Sequence, residues 1–82
     1  MNVNTLSQSD RETLLVLFRL FRAHDVEDDY RGYSNRDEIE RKLQHGGTLD
    51  DEETHLLAVA VMDELTDESE IDALLVAIGE EK

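Results

Sequence analysis

The sequence predicts an all-α fold, a compact four-helix bundle in which helix one is central and helix two is short and peripheral. Three observations support this prediction. Apolar residues recur at the three- and four-residue spacing of a buried helix face in four separate segments. Residues that favour the starts and ends of helices bound these segments. No segment alternates apolar and polar residues as a half-buried strand does, so the 82 residues are expected to form one helical domain.

Helix one is expected over residues 10–23, where Ser9 is a suitable N-cap and Glu12 completes a capping box. One face of this helix should line the core, and it comprises Leu14, Leu17, Phe18 and Phe21. Val16 and Leu20 fall on almost the opposite side. A helix that is apolar on two sides is either central in its bundle or contacts a partner.

Helix two is expected over residues 35–44, with Ser34 as its N-cap. Only Ile39 and Leu43 give it an apolar face, which is why we expect it at the periphery. Gly46 follows at the position where a left-handed glycine commonly ends a helix.

Helix three is expected over residues 51–65, with Thr48 or Asp50 as its N-cap. Acidic side chains occupy its first turn, where the helix dipole favours anions. Its expected core face comprises Leu57, Ala58, Val61, Met62 and Leu65.

Helix four is expected over residues 68–78. Asp67 is its predicted N-cap, with Glu70 at the capping-box position, and Gly79 ends it. Its expected core stripe comprises Ile71, Leu74, Leu75 and Ile78.

The chain is strongly acidic, with 21 Asp and Glu against 8 Lys and Arg and a formal net charge of −13. Residues 1–47 carry seven basic and nine acidic side chains, whereas residues 48–82 carry one basic and twelve acidic side chains. Two interpretations stay open. Either the acidic half is a binding surface, or the charge keeps the protein soluble in the high-salt cytoplasm of a halophilic cell.

The sequence also bears on location. The first residues form no basic and apolar leader, and the longest uninterrupted apolar run is seven residues. A membrane-spanning helix needs about 20 apolar residues. We therefore expect a cytoplasmic protein without a membrane span.

Few residues suggest chemistry. The absence of Cys excludes disulfides, thiol catalysis and Cys-ligated zinc. An EF-hand calcium loop starting at Asp25 fails because Tyr30 stands where Gly is needed and Arg36 where Glu is needed. Glu52 and His55 form a single Glu-x-x-His pair, and a di-iron bundle needs two. We expect no catalytic residue, no metal and no cofactor, and hence not an enzyme.

Nucleic acid binding is disfavoured as well. Helices one to three have lengths that a helix-turn-helix arrangement would accept, with helix three as the reading helix. That helix carries acidic side chains and no Lys or Arg. Phosphate groups would therefore repel it, and direct contact with DNA or RNA is not expected.

Two sets of residues are candidates for binding a partner. The first is an apolar centre within a charged rim on helix three, which is the usual composition of an interface; it comprises Leu56 and Ala60 inside Glu52, Glu53, Asp63 and Glu64. The second is a loop with residue types common in binding hot spots, namely Tyr30, Arg31 and Tyr33. The alternatives are that Leu56 is an isolated surface leucine and that the tyrosine rings cover one end of the bundle.

These observations predict a small acidic, non-enzymatic protein–protein interaction module that self-associates, for example as a homodimer. The alternative is an acidic inhibitor that mimics nucleic acid and occupies a basic groove on its target. A small DNA-binding regulator is the third possibility and the least supported, because helix three lacks cations.

Overall fold

The computed structural model describes residues 1–24 and 35–79. These residues form an all-α bundle, as the sequence predicts, and the described part contains no β-strand beyond an isolated bridge between Asn2 and Thr48. The helices are α1 (Gln8–His24), α2 (Asn35–His45), α3 (Asp51–Glu64) and α4 (Glu68–Ile78), and a short 3-10 turn (Val3–Thr5) precedes them. Their bounds agree with the predicted ones to within two residues.

Helix α1 contacts each of the other three helices, and α3 does so as well. All four side chains of its predicted core face are buried, and the rings of Phe18 and Phe21 pack with centroids 6.0 Å apart. The short helix α2 contributes Ile39 and Leu43, the two residues expected from its sequence. The rest of the helical core is supplied by α3 and α4 through Leu57, Ala58, Ala60, Val61, Leu74 and Ile78.

The start of α1 differs from the prediction. Ser7, not Ser9, caps the helix, because the Ser7 Oγ accepts a hydrogen bond from the main-chain N–H of Asp10 at 3.1 Å. The Ser7 carbonyl also accepts the main-chain N–H of Arg11 at 3.0 Å. Leu6 packs against the core immediately before the cap and brings the chain to the helix two residues earlier than expected.

The caps of α3 and α4 confirm the predicted starts. Asp50 and Glu53 form a reciprocal capping box, with side-chain to main-chain hydrogen bonds of 2.7 and 3.0 Å. Asp67 accepts hydrogen bonds from the first turn of α4. Gly79 ends α4 in the left-handed conformation with a φ of 79°, which costs glycine less than other residues. Helix α3 ends at Glu64, so Leu65 is extended and lies outside it.

The first six residues form an element that the sequence did not predict. The main-chain N–H of Val3 donates to the carbonyl of Gly47 at 2.9 Å, and the N–H of Leu49 donates to the carbonyl of Met1 at 2.7 Å. The side chains of Val3 and Leu49 are almost completely buried. The N-terminal segment (residues 1–6) is therefore fastened to the connection between α2 and α3 and contributes to the core.

Candidate interaction surfaces

The apolar centre predicted on α3 is largely covered. Ala60 is 0% exposed and belongs to the core, and Leu56 is partly buried and packs against the same core. Met62, which was expected in the core, is 47% exposed. The buried face of α3 differs from the predicted face, because α3 contacts α1, α2 and α4.

The charged rim predicted around that centre is also reduced. Glu53 is 4% exposed, and its Oε1 accepts hydrogen bonds from Lys42 Nζ and from the main-chain N–H of Asp50, both at 3.0 Å. Glu64 lies 3.1 Å from His24 Nδ1 and joins the ends of α1 and α3. The prediction that these two carboxylates lie on an open rim was wrong, and Glu52 and Asp63 are the rim acids that remain exposed.

The predicted loop residues Tyr30, Arg31 and Tyr33 lie outside the described residues. At the start of α2, the guanidinium carbon of Arg36 lies 5.8 Å from the centre of the Phe21 ring. Arg36 therefore covers one edge of the core through a cation–π contact.

Ion pairs join α1 to α2. Arg22 Nη1 lies 3.0 Å from Asp37 and 3.0 Å from Glu40, and Arg19 lies 3.6 Å from Glu40. Within α2, Arg41 pairs with Glu38. Asp37 and Glu40 instead pair with arginines of α1.

The outer face of α1 is the clearest exposed apolar feature among the described residues. Val16 and Leu20 are 55% and 43% exposed and lie one helical turn apart. Thr13 and Ala23 continue the line at both ends and are exposed too. We call these four residues the α1 outer face. The sequence had placed Val16 and Leu20 opposite the core, and the structure leaves them exposed although α1 contacts the other three helices.

Further exposed apolar side chains are Met62 on α3 and Val76 on α4. Val76 borders a groove of about 350 Å³ beside Met1 and the C-terminal end of α4. Unlike the pair on α1, no second large exposed aliphatic residue adjoins Val76 along its own described helix.

A second groove, which sequence reasoning missed, lies between the N-terminal end of α1 and the C-terminal end of α2. This N-terminal groove has a volume of about 540 Å³. Leu6, Leu15 and Leu43 give it an apolar floor, while Arg11 and polar side chains stand beside them. Its parts come from three separate segments, so no local pattern in the sequence signals it.

The charges differ sharply between helices. Residues 8–24 carry three arginines and two acids, whereas residues 51–78 carry nine acids and no Lys or Arg. The outer face of α1 is therefore the least acidic of the exposed helical surfaces that carry large apolar side chains.

The described residues contain no group of three or more His, Cys, Asp or Glu placed to hold a metal ion. Within the same ranges, no helix has the length and apolar character needed to cross a membrane. Comparison with protein families, with curated proteins and with solved structures found no match for this chain. What the chain does must therefore be inferred from its own side chains.

Proposed function

We propose that this chain is a non-enzymatic protein-interaction module that self-associates through the α1 outer face. The observation that carries the proposal is the exposure of Val16 and Leu20, one turn apart, on a helix whose opposite side forms the centre of the core. Adjacent large aliphatic side chains on a solvated helix favour association, because contact with another apolar surface removes both from water.

The spacing of the face supports a helix as the partner. Thr13, Val16, Leu20 and Ala23 follow one another at intervals of three, four and three residues, which is the spacing of a coiled-coil seam. The small residues at both ends allow close approach. In an antiparallel pair related by a two-fold axis, Val16 of one copy faces Leu20 of the other, so the surface is complementary to itself.

The distribution of charge supports a second copy on this face and not on α3 or α4. Two chains that each carry −13 repel one another, and the repulsion is smallest where the acidic helices point away from the contact. Pairing through α1 leaves α3 and α4 on the outside. Molar salt shortens the Debye length to about 3 Å, so the dimer should become more stable as salt is added.

Sedimentation velocity at low and at molar salt tests the proposal. Wild type should shift toward a dimer with increasing protein and salt concentration, and Leu20→Asp should stay monomeric with its helical circular dichroism unchanged. Val76→Asp is the matched control, because it places the same charge at an exposed aliphatic position on α4. The proposal would be contradicted if the wild-type protein stayed monomeric under all conditions, or if Val76→Asp reduced dimerisation as much as Leu20→Asp does.

Cross-linking tests the arrangement, since the natural chain has no Cys. Val16→Cys and Leu20→Cys chains, mixed and oxidised, should give the 16–20 disulfide in preference to 16–16 and 20–20. Preferential 16–16 and 20–20 bonds would indicate parallel helices. Equal cross-linking of Val76→Cys would indicate random collision.

The alternative of a nucleic-acid mimic is supported by a different observation. Most of the nine acids between residues 51 and 78 are exposed, although Glu53 and Glu64 contact Lys42 and His24. A basic groove on another protein would attract such a surface. The direction of the salt effect separates the two functions, because binding to a basic partner weakens with salt whereas self-association strengthens.

A further inference from the structure

We propose that the N-terminal groove binds a small organic carboxylate with a branched aliphatic body. Its volume of about 540 Å³ lies within the range of small-molecule sites, about 300–1,000 Å³. Val16 and Leu20 do not line it, so this site is separate from the proposed dimer contact.

The carboxylate is inferred from Arg11. The Arg11 Nη2 donates a hydrogen bond to the carbonyl of Leu43 at 3.3 Å, which holds the guanidinium beside the groove. Among the described residues, no carboxylate lies within ion-pair distance of it, although the chain carries 21 acids. A guanidinium has five N–H donors arranged to receive a carboxylate, so donors remain for a ligand.

The aliphatic body of the ligand is inferred from the apolar floor of the N-terminal groove. Leu6 and Leu15 are half-buried against the core and present fixed apolar surface to the groove, whereas Leu43 is 2% exposed and adds little of it. A branched chain of four or five carbons covers such a surface while its carboxylate reaches Arg11. Gln44 also lines the groove and adds an amide N–H donor to it.

Glu12 offers a control variant whose expected effect on ligand affinity is opposite to that of replacing Arg11. Glu12 also lines the groove, and its Oε1 accepts a hydrogen bond from Gln8 Nε2 at 3.3 Å. Its negative charge opposes an anionic ligand. Replacing Glu12 by Gln keeps the shape and removes this charge, so binding should become tighter.

The test is a titration of the isotope-labelled full chain followed by amide chemical shifts, at constant ionic strength. The probe is 4-methylpentanoate, which has eight non-hydrogen atoms and should saturate with a Kd of about 1 mM. The shifts should centre on residues 11–15 and 43–44. Acetate, which lacks the body, and 3-methylbutylamine, which lacks the carboxylate, should each bind at least about tenfold more weakly.

Variants identify the site. Arg11→Gln should weaken binding of the probe about tenfold, Arg11→Lys should restore part of it, and Glu12→Gln should strengthen it about threefold. Arg19→Gln changes the net charge equally but lies outside the groove, and it should have no effect. Thermal melts confirm that each variant is folded.

Several results would overturn the inference. Shifts that do not saturate, or that lie elsewhere, exclude the groove. Equal binding of the amine excludes a role for the guanidinium, and equal binding of acetate excludes the apolar floor. Equal weakening by Arg19→Gln would mean that only the overall charge acts on the probe.

Discussion

Replacing Val3 by Ala measures how much the N-terminal segment contributes to the stability of the bundle. The Val3 side chain is 0% exposed, although it lies in a short turn ahead of all four helices. The substitution removes two methyl groups from the core. It leaves the main-chain hydrogen bond from Val3 to Gly47 in place.

The size of the effect follows from this burial. Two buried methyl groups contribute about 1.6 kcal/mol of transfer free energy, at about 0.8 kcal/mol each. A residual cavity of about 50 Å³ adds about 1.2 kcal/mol. The free energy of unfolding should therefore fall by about 2–3 kcal/mol. For a domain of this size, the midpoint of thermal unfolding should fall by about 10–20 °C.

Urea unfolding followed by circular dichroism at low protein concentration is the assay. Val16→Ala is the matched control, because it removes the same atoms from a side chain that is more than half exposed. It should change the free energy of unfolding by no more than about 0.5 kcal/mol. If Val3→Ala has an effect as small as the control, the N-terminal segment is not part of the core.

Three further predictions concern the caps, the buried ion pair and the net charge. Asp50→Ala removes the carboxylate that accepts the main-chain N–H of Glu53 in the capping box of α3, and it should lower the free energy of unfolding by about 1 kcal/mol, measured by urea unfolding. Glu53→Gln removes the nearer of the two carboxylates beside the partly buried ammonium of Lys42, which lies 3.0 Å from Glu53 and 3.9 Å from Glu38, and should cost about 1–3 kcal/mol in the same assay; an unchanged value would show that Glu38 or water replaces the pair. The melting temperature of the Leu20→Asp chain should rise between low and molar salt, because screening weakens the self-repulsion of the net charge; a constant midpoint would contradict this.

Local signals in the sequence predicted most of the fold. Caps at Asp50 and Asp67, the stop at Gly79 and the spacing of apolar residues depend on neighbours within one or two turns. These interactions are readable from a single sequence because each is made within a few residues. They were sufficient for four helices and for the core face of α1.

The remaining features depend on contacts between distant segments. Ala60 is buried because three helices surround α3, and no local pattern states how they are placed. Glu53 was predicted to be at the surface because it is charged, but Lys42 and the Asp50 main chain satisfy it. Residues 1–6 are too few to show periodicity, so the burial of Val3 gave no signal. The N-terminal groove forms only where three separate segments of the chain meet, so it could not be predicted from the sequence either.

The attachment of the N-terminal segment also has a consequence for the order of folding. Its pairing joins Met1 to Leu49 across a separation of 48 residues, and closing a flexible loop of that length costs roughly 3 kcal/mol in chain entropy beyond a constant. We expect packing of α1 against α2 and α3 to close most of this loop first, so that the segment docks late. A destabilising substitution in a segment that docks after the transition state raises the unfolding rate and leaves the folding rate unchanged. Val3→Ala should therefore shorten the lifetime of the native bundle without slowing its formation.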